Sequence, residues 1–308
     1  MNETKQLAYH YTSLDVFLNL VKGIADHKFL FWVSYIFSMN DSTEFVKGYE
    51  CAWNFLPEIE KHLAERGKID DEYKLSLFWD QDKTNSSSWW SNYHIELLKR
   101  NYIAPFVISF SKQGDSLPQW TMYGKDGNGV SLGFDVLIQS QIKRCNNGNL
   151  LLVFPIEKSN TVVIDVEYDG LNLDKSIAKY MCAEYMQYLQ IIKNASNLEE
   201  RDKQAIKLNA IERIVCLTAS YIKHSAYKYE SEVRFIQFRN EINDVKYRID
   251  AKGRLIPYML IRIPTTKLKK IVVGPCADYN SVKLMIDTVL LQHGIKDVTI
   301  VKSEVPYR

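Results

Sequence analysis

The hydrophobic period of the chain changes twice, and that change limits the folds open to it. Up to about residue 168 the apolar residues fall in runs of strand length, LAYHYT, KFLFWVS, PFVISFS, GVSLGFDV, LLLVFPIE and TVVIDVEY, set apart by turn residues and helical stretches. From Lys175 the period lengthens to that of a helix. Ile177, Met181, Tyr185, Leu189 and Ile192 form one apolar stripe, and Leu208, Ile211, Val215, Thr218 and Ile222 form a second. Strand-like runs return in YESEVRFIQFRN, KYRIDA and LIPYMLIRIP, and the chain ends as strand, helix, strand through KKIVVGP, NSVKLMIDTVLLQHG and VTIVKSEV. A sheet must therefore draw strands from both sides of a helical excursion at about residues 174–226. No repeat and no Pro- or Gly-rich linker divides the chain. The expectation is a single α+β domain over residues 1–308, with a mixed, largely antiparallel sheet and helical insertions.

Local signals place the boundaries. Ser13 is an N-cap candidate for the helix SLDVFLNLVKG, and Gly23 stands where it should stop. Asn40, Asp41 and Ser42 are cap candidates for the next helix. Residues 66–90, with the polar run DQDKTNSSS, read as an insertion anchored by Trp89 and Trp90, followed by a helix around Ile95 to Tyr102. KDGNG, with Gly127 and Gly129, reads as a tight hairpin turn.

The chain has 308 residues and is 46% hydrophobic, enough for a large core. A net charge of +2 gives no broad field for nucleic acid or membrane. The five cysteines, Cys51, Cys145, Cys182, Cys216 and Cys276, never take CxxC spacing, which speaks against a zinc site or a disulfide framework. The N-terminus lacks an export signal and no window has 18 unbroken apolar residues, so the reading is a cytoplasmic protein with no membrane partner.

Several stretches offer chemistry, each beside a plainer use. HYTS places His10 and Thr12 where a strand meets a helix start, a good place for a ligand; it also suits a satisfied histidine beside an N-cap. In SFS, Ser109 and Ser111 share a strand face, as they would in any half-polar strand. In QWTMYG, Trp120 and Tyr123 can stack on a base or fill the core. Asp41 and Glu44 share a helical face, although capping explains the former. GKDGNG lacks the spacing of a phosphate loop.

YESEVR is the sharpest signal. Read as a strand it puts Glu230, Glu232 and Arg234 on one face, with the two carboxylates about 6.6 Å apart at roughly 3.3 Å rise per residue. Like charges so placed repel, and burial would raise a carboxyl pKa. An ion-pair ladder through Arg234 is the plainer alternative.

HYTSLDVFLNLVK, MNDSTEF, FSKQGDSLPQWTMYG with GVSLGFD, YESEVRF and KIVVGP together resemble a bacterial family known only as a domain of unknown function, DUF twenty-nine seventy-one. The order of strand, HYT and helix, then SFS and an aromatic YG, then a late ExEVR strand is similar to the ADP-ribosyltransferase layout, including toxins of the DarT type that modify DNA. That resemblance implies an ADP-ribosyltransferase-like fold and NAD as cofactor. It implies that His10 and Thr12 hold the nicotinamide ribose, that Tyr123 flanks the nicotinamide, that Ser109 and Ser111 line the pocket, and that Glu232 is the catalytic carboxylate. Glu230 would accept a proton from the incoming nucleophile. The Tyr after His10 and the helical excursion before the late strand depart from the family pattern. The implied protein is a bacterial toxin or anti-phage defence effector, with a macromolecular acceptor, nucleic acid such as RNA or DNA or protein, and an antitoxin partner. Two other classes stand beside it. One is a metal-dependent nuclease with His10, Asp41, Glu230 and Glu232 as ligands. The other is a non-catalytic sensor or partner-binding module whose acidic strand is only a charged face.

Overall fold

A computed structural model describes residues 5–38, 42–78, 105–137, 161–168, 170–173, 176–195, 197–238, 244–250 and 252–307. The first half supplies β1 (Lys5–Thr12), α1 (Leu14–Lys22), β2 (Lys28–Tyr35), α2 (Ser42–Ala64), α3 (Leu75–Phe78), β3 (Pro105–Ser111), α4 (Leu117–Met122) and β4 (Val130–Leu137). Next come β5 (Thr161–Asp165), β6 (Glu167–Tyr168), α5 (Ser176–Asn194), α6 (Glu200–Ala219), β7 (Ile222–Lys223) and β8 (Glu232–Phe238). The chain closes with β9 (Lys246–Ile249), β10 (Leu255–Pro264), β11 (Leu268–Val273), α7 (Tyr279–Gln292) and β12 (Thr299–Lys302).

Ten of the described strands form one mixed sheet in the order β12-β11-β4-β1-β3-β2-β10-β9, with β8 on β3 and β5 on β8, and β6 and β7 form a separate parallel pair, in an α+β architecture. Every pairing in that sheet is antiparallel except β11 with β12, the parallel pair that α7 connects. β1 follows β4 along its whole length but registers with β3 only at Tyr9 and Ser111. β3 instead runs beside β8 from Pro105–Phe238 to Ser111–Glu232. The sheet therefore opens between β1 and β3.

Period two assigns the two faces. Phe110, Val233 and Phe235 point to an apolar cluster with Phe31, Phe134 and Phe17 of α1. Val107 and Ile236 point the other way, to a cluster built by α2, α5 and α6 with Tyr185, Ile211 and Val215. The two apolar stripes expected after Lys175 are those helices, except that the second ends at Ala219 and its last member, Ile222, lies on β7; each fully buried large side chain contributes about 1.5–3 kcal/mol. Ser13 caps α1 as expected, its Oγ accepting from the Val16 N–H at 3.3 Å.

Two expectations are corrected. KDGNG does not join two strands; it joins α4 to β4, with Lys125, Asp126 and Gly127 all left-handed at φ 54°, 49° and 77°. Gly129 is required because a Cβ there would lie 2.1 Å from the Thr12 carbonyl oxygen. The turn is held from the far end of the chain, where the Gly274 and Cys276 amides donate to Gly129 and Gly127, each at 2.9 Å. The second correction concerns Glu230, which lies on a 3-10 turn, Ser225–Glu230, and not on β8. Asn40, Asp41, Trp89, Trp90, the helix expected at Ile95 to Tyr102 and the strand LLLVFPIE lie outside the described residues.

Candidate functional site

Glu232 opens β8 beside Ser111, the end of β3 that registers with β1 at Tyr9. Ser231 before it is left-handed at φ 46°, and that kink turns the chain so that Glu230 and Glu232 meet from different directions. They meet on Lys223 of β7, whose Nζ donates to Glu230 Oε2 at 2.7 Å and to Glu232 Oε2 at 2.9 Å. Arg234, the next residue on the same strand face, donates its Nε to Glu232 Oε1 at 2.7 Å and an Nη to Oε2 at 3.2 Å. Its other Nη donates to the Ser220 carbonyl at the end of α6, 2.8 Å away. The Ser109 hydroxyl completes the set on Glu232 Oε1 at 2.5 Å.

The repulsion that the sequence suggests is thus cancelled by two cations. Burial pushes the Glu232 carboxyl up, but Arg234 and Lys223, with hydrogen bonds from Arg234 and Ser109, outweigh it and hold the pKa at about 2. Each Glu232 oxygen accepts two donors, and the residue is only 2% exposed. The Glu232 amide donates to the Tyr168 hydroxyl at 3.0 Å, and that phenol is pushed up to about 12, by burial first.

Aromatic side chains lie over this cluster. Lys223 Nζ sits 4.9 Å from the centre of the Tyr227 ring. Tyr123, which ends α4, is 39% exposed, and its phenol is raised to about 12 by burial and then by the nearby Glu230 charge. Tyr229, 41% exposed, reaches back to the Met122 sulfur at 3.8 Å.

The expected site residues separate into two groups. Ser109, Glu230 and Glu232 come together, and Tyr123 stands within their field. Ser111 serves the turn, donating to the Glu230 carbonyl at 2.7 Å. His10 and Thr12 do not share that face. Tyr9 pairs with Ser111, so their neighbours in period two point to the opposite side. The His10 ring packs on Phe31 and Phe110, with centroids 5.4 and 5.2 Å away. It meets the cluster only through the backbone, Nδ1–H donating to the Ser109 carbonyl at 3.4 Å. A carbonyl can only accept, so Nε2 is bare, and burial lowers the ring pKa to about 4. Thr12 is buried at 5% exposure.

Among the described residues no group of three His, Cys, Asp or Glu side chains gathers as metal ligands. Where a cation would sit between Glu230 and Glu232, Lys223 already stands. Lys223, Tyr168 and Tyr229 were missed by sequence reasoning. A lysine inside the apolar run SYIKHSAY is the available signal, because a lysine in such a run needs a carboxylate if it is buried.

The fold and site define an α+β protein with a buried carboxylate–cation cluster at the head of a central strand. Residues 119–235 match the profile of the family described as Protein of unknown function (DUF2971), so the expected likeness to that family holds over this span. The span carries Tyr123, Lys223, Glu230, Glu232 and Arg234; His10, Thr12, Ser109 and Ser111 precede it. No curated protein and no solved structure matches the chain. Among the described residues no helix is long and apolar enough to cross a membrane.

Proposed function

We propose that the protein is an NAD-dependent ADP-ribosyltransferase acting on a macromolecular acceptor, protein or nucleic acid. The observation that carries this reading is the Ser109–Glu232 pair, an ionised carboxylate oriented by a neighbouring-strand hydroxyl, with the half-exposed Tyr123 near enough to feel the Glu230 and Glu232 charges. Breaking the nicotinamide–ribose bond sends its electron pair to the nicotinamide nitrogen and leaves positive charge on the ribose. A fixed carboxylate stabilises that charge where it develops. Tyr123 and Tyr229 offer ring faces for the nicotinamide. For Glu232 to accept a ribose hydroxyl, one of its four donors must yield. Lys223 is the donor that can do so at least cost, because it keeps Glu230 and the Tyr227 ring. Glu230 takes the proton of the attacking nucleophile. His10 acts from the reverse face as a positioning residue for the β3 backbone at Ser109. This role replaces the ribose contact expected from the sequence.

Cell extract given isotopically labelled NAD should show label on protein or nucleic acid, with nicotinamide released. Glu232→Gln, which keeps the shape, should lower the rate at least 100-fold, the scale of removing one oriented electrostatic contact. Absence of both label and nicotinamide release from the wild type would overturn the reading.

A second reading is favoured by the saturation of Glu232, whose two oxygens already hold four donors. In it the cluster only pins β7 and β8 together within a partner-binding module. Glu232→Gln would then change stability and leave any cellular phenotype in place.

A further inference from the structure

The cluster occupies one end of its sheet face and leaves the β2-β10-β9 end of that face unused. Cross-strand register sets Ser34, Tyr258 and Lys246 in one row, Trp32 beside Leu260, Leu30 beside Arg262, Lys28 beside Pro264, and Arg248 beside Ile256. The alternate residues Phe29, Phe31, Val33, Met259 and Ile261 are buried in the opposite core, so these rows lie on the other side, where Ile256 is covered but Lys28, Trp32, Lys246 and Arg262 are exposed. Trp32 is 54% exposed there.

The exposed indole is part of an ordered stack. Its centroid lies 5.1 Å from the Tyr258 ring at 39°, and the Arg248 guanidinium sits 5.5 Å above it. Arg248 is steadied by an Nη donating to Ser34 Oγ at 3.3 Å, while its Nε–H is buried without a partner. The charged side chains in these rows are Lys28, Lys246, Arg248 and Arg262, all cations. Asp250, at the end of β9, is engaged by Arg254 and the Lys252 amide.

We propose that this face binds single-stranded nucleic acid, with bases stacked on Trp32 and Tyr258 and phosphates on Lys28, Lys246, Arg248 and Arg262. Stacking needs unpaired bases, and aromatic planes interleaved with cations on a sheet face meet that need. Protein interfaces are depleted in lysine, whereas Lys28 and Lys246 flank the aromatic pair here. The proposal goes beyond the transferase reading and does not require it, since binding is measured without NAD.

The test is fluorescence anisotropy of the full chain with labelled oligo(dT) and oligo(rU) of about 12 nucleotides, within the usual site size. Binding should weaken with salt on a logarithmic slope of about −3, from four phosphate contacts at about 0.7 each. Trp32→Ala should weaken it about tenfold or more, Trp32→Phe should restore most of it, and Lys246→Ser should lower the slope by about 0.7. Trp32 is exposed, so these variants should unfold like the wild type, and Glu232→Gln should bind like the wild type. The proposal is overturned if neither oligonucleotide binds at low salt, or if Trp32→Ala binds equally well. Binding to anionic vesicles alone, or self-association that Trp32→Ala abolishes, would also overturn it.

Discussion

Lys223 holds two carboxylates apart by standing between them, and its removal should be felt through both. Lys223→Met leaves Glu230 and Glu232 buried without the cation they share, with Arg234 still on Glu232. A loss of about 3–5 kcal/mol at neutral pH is expected, the scale for breaking a buried ion pair. Protonating one carboxylate relieves the repulsion, so the deficit against wild type should shrink as the pH falls toward 4; urea unfolding across that range measures it. In the wild type the Glu232 pKa of about 2 lies below its ordinary 4.5. Its contribution is therefore present above about pH 4.5 and lost as the pH falls toward 2. His10, whose charged form is a cation, has its own window. Its ring pKa is lowered from 6.5 to about 4, so the unfolded chain takes up the proton first and stability falls as the pH drops through that interval. The limit is about 1.4 kcal/mol per unit, and His10→Asn should flatten the slope of unfolding free energy against pH between 6.5 and 4. An unchanged slope would show that the ring is not buried in its neutral form.

The turn between α4 and β4 positions Tyr123, and it depends on a close backbone approach. Gly129→Ala would set a Cβ against the Thr12 carbonyl, and neither backbone can retreat without breaking the β1–β4 ladder. The expected cost is several kcal/mol, visible as a drop in the thermal midpoint. At this scale much was legible. The helix stripes after Lys175, the α1 cap at Ser13 and the β11-α7-β12 unit follow from periodicity and capping chemistry that act within a few residues. The error at YESEVR has a physical cause. Alternation alone cannot reveal that Ser231 takes a left-handed conformation, and that one dihedral moves Glu230 off the strand. Lys223 was hidden for a related reason, since its partners lie seven and nine residues away across a turn.

In the whole molecule, the split between β1 and β3 decides which residues share a wall. The sequence order of His10, Ser109 and Glu232 suggested a common pocket, yet the single register point at Tyr9–Ser111 puts His10 on the far side of the sheet. Face assignment of this kind depends on long-range pairing, which no local pattern contains. Glu232 with Glu230, Ser109 and Tyr123 still converge from three separate segments, and the transferase proposal rests on that convergence. The most direct test is mass spectrometry of protein and nucleic acid from cells expressing the wild type or Glu232→Gln, searching for added ADP-ribose. The expected result is an ADP-ribose adduct that requires wild-type Glu232, with both proteins folded and equally abundant. An adduct that persists in Glu232→Gln, or the lack of any adduct in cells that carry active wild-type protein and NAD, would contradict it.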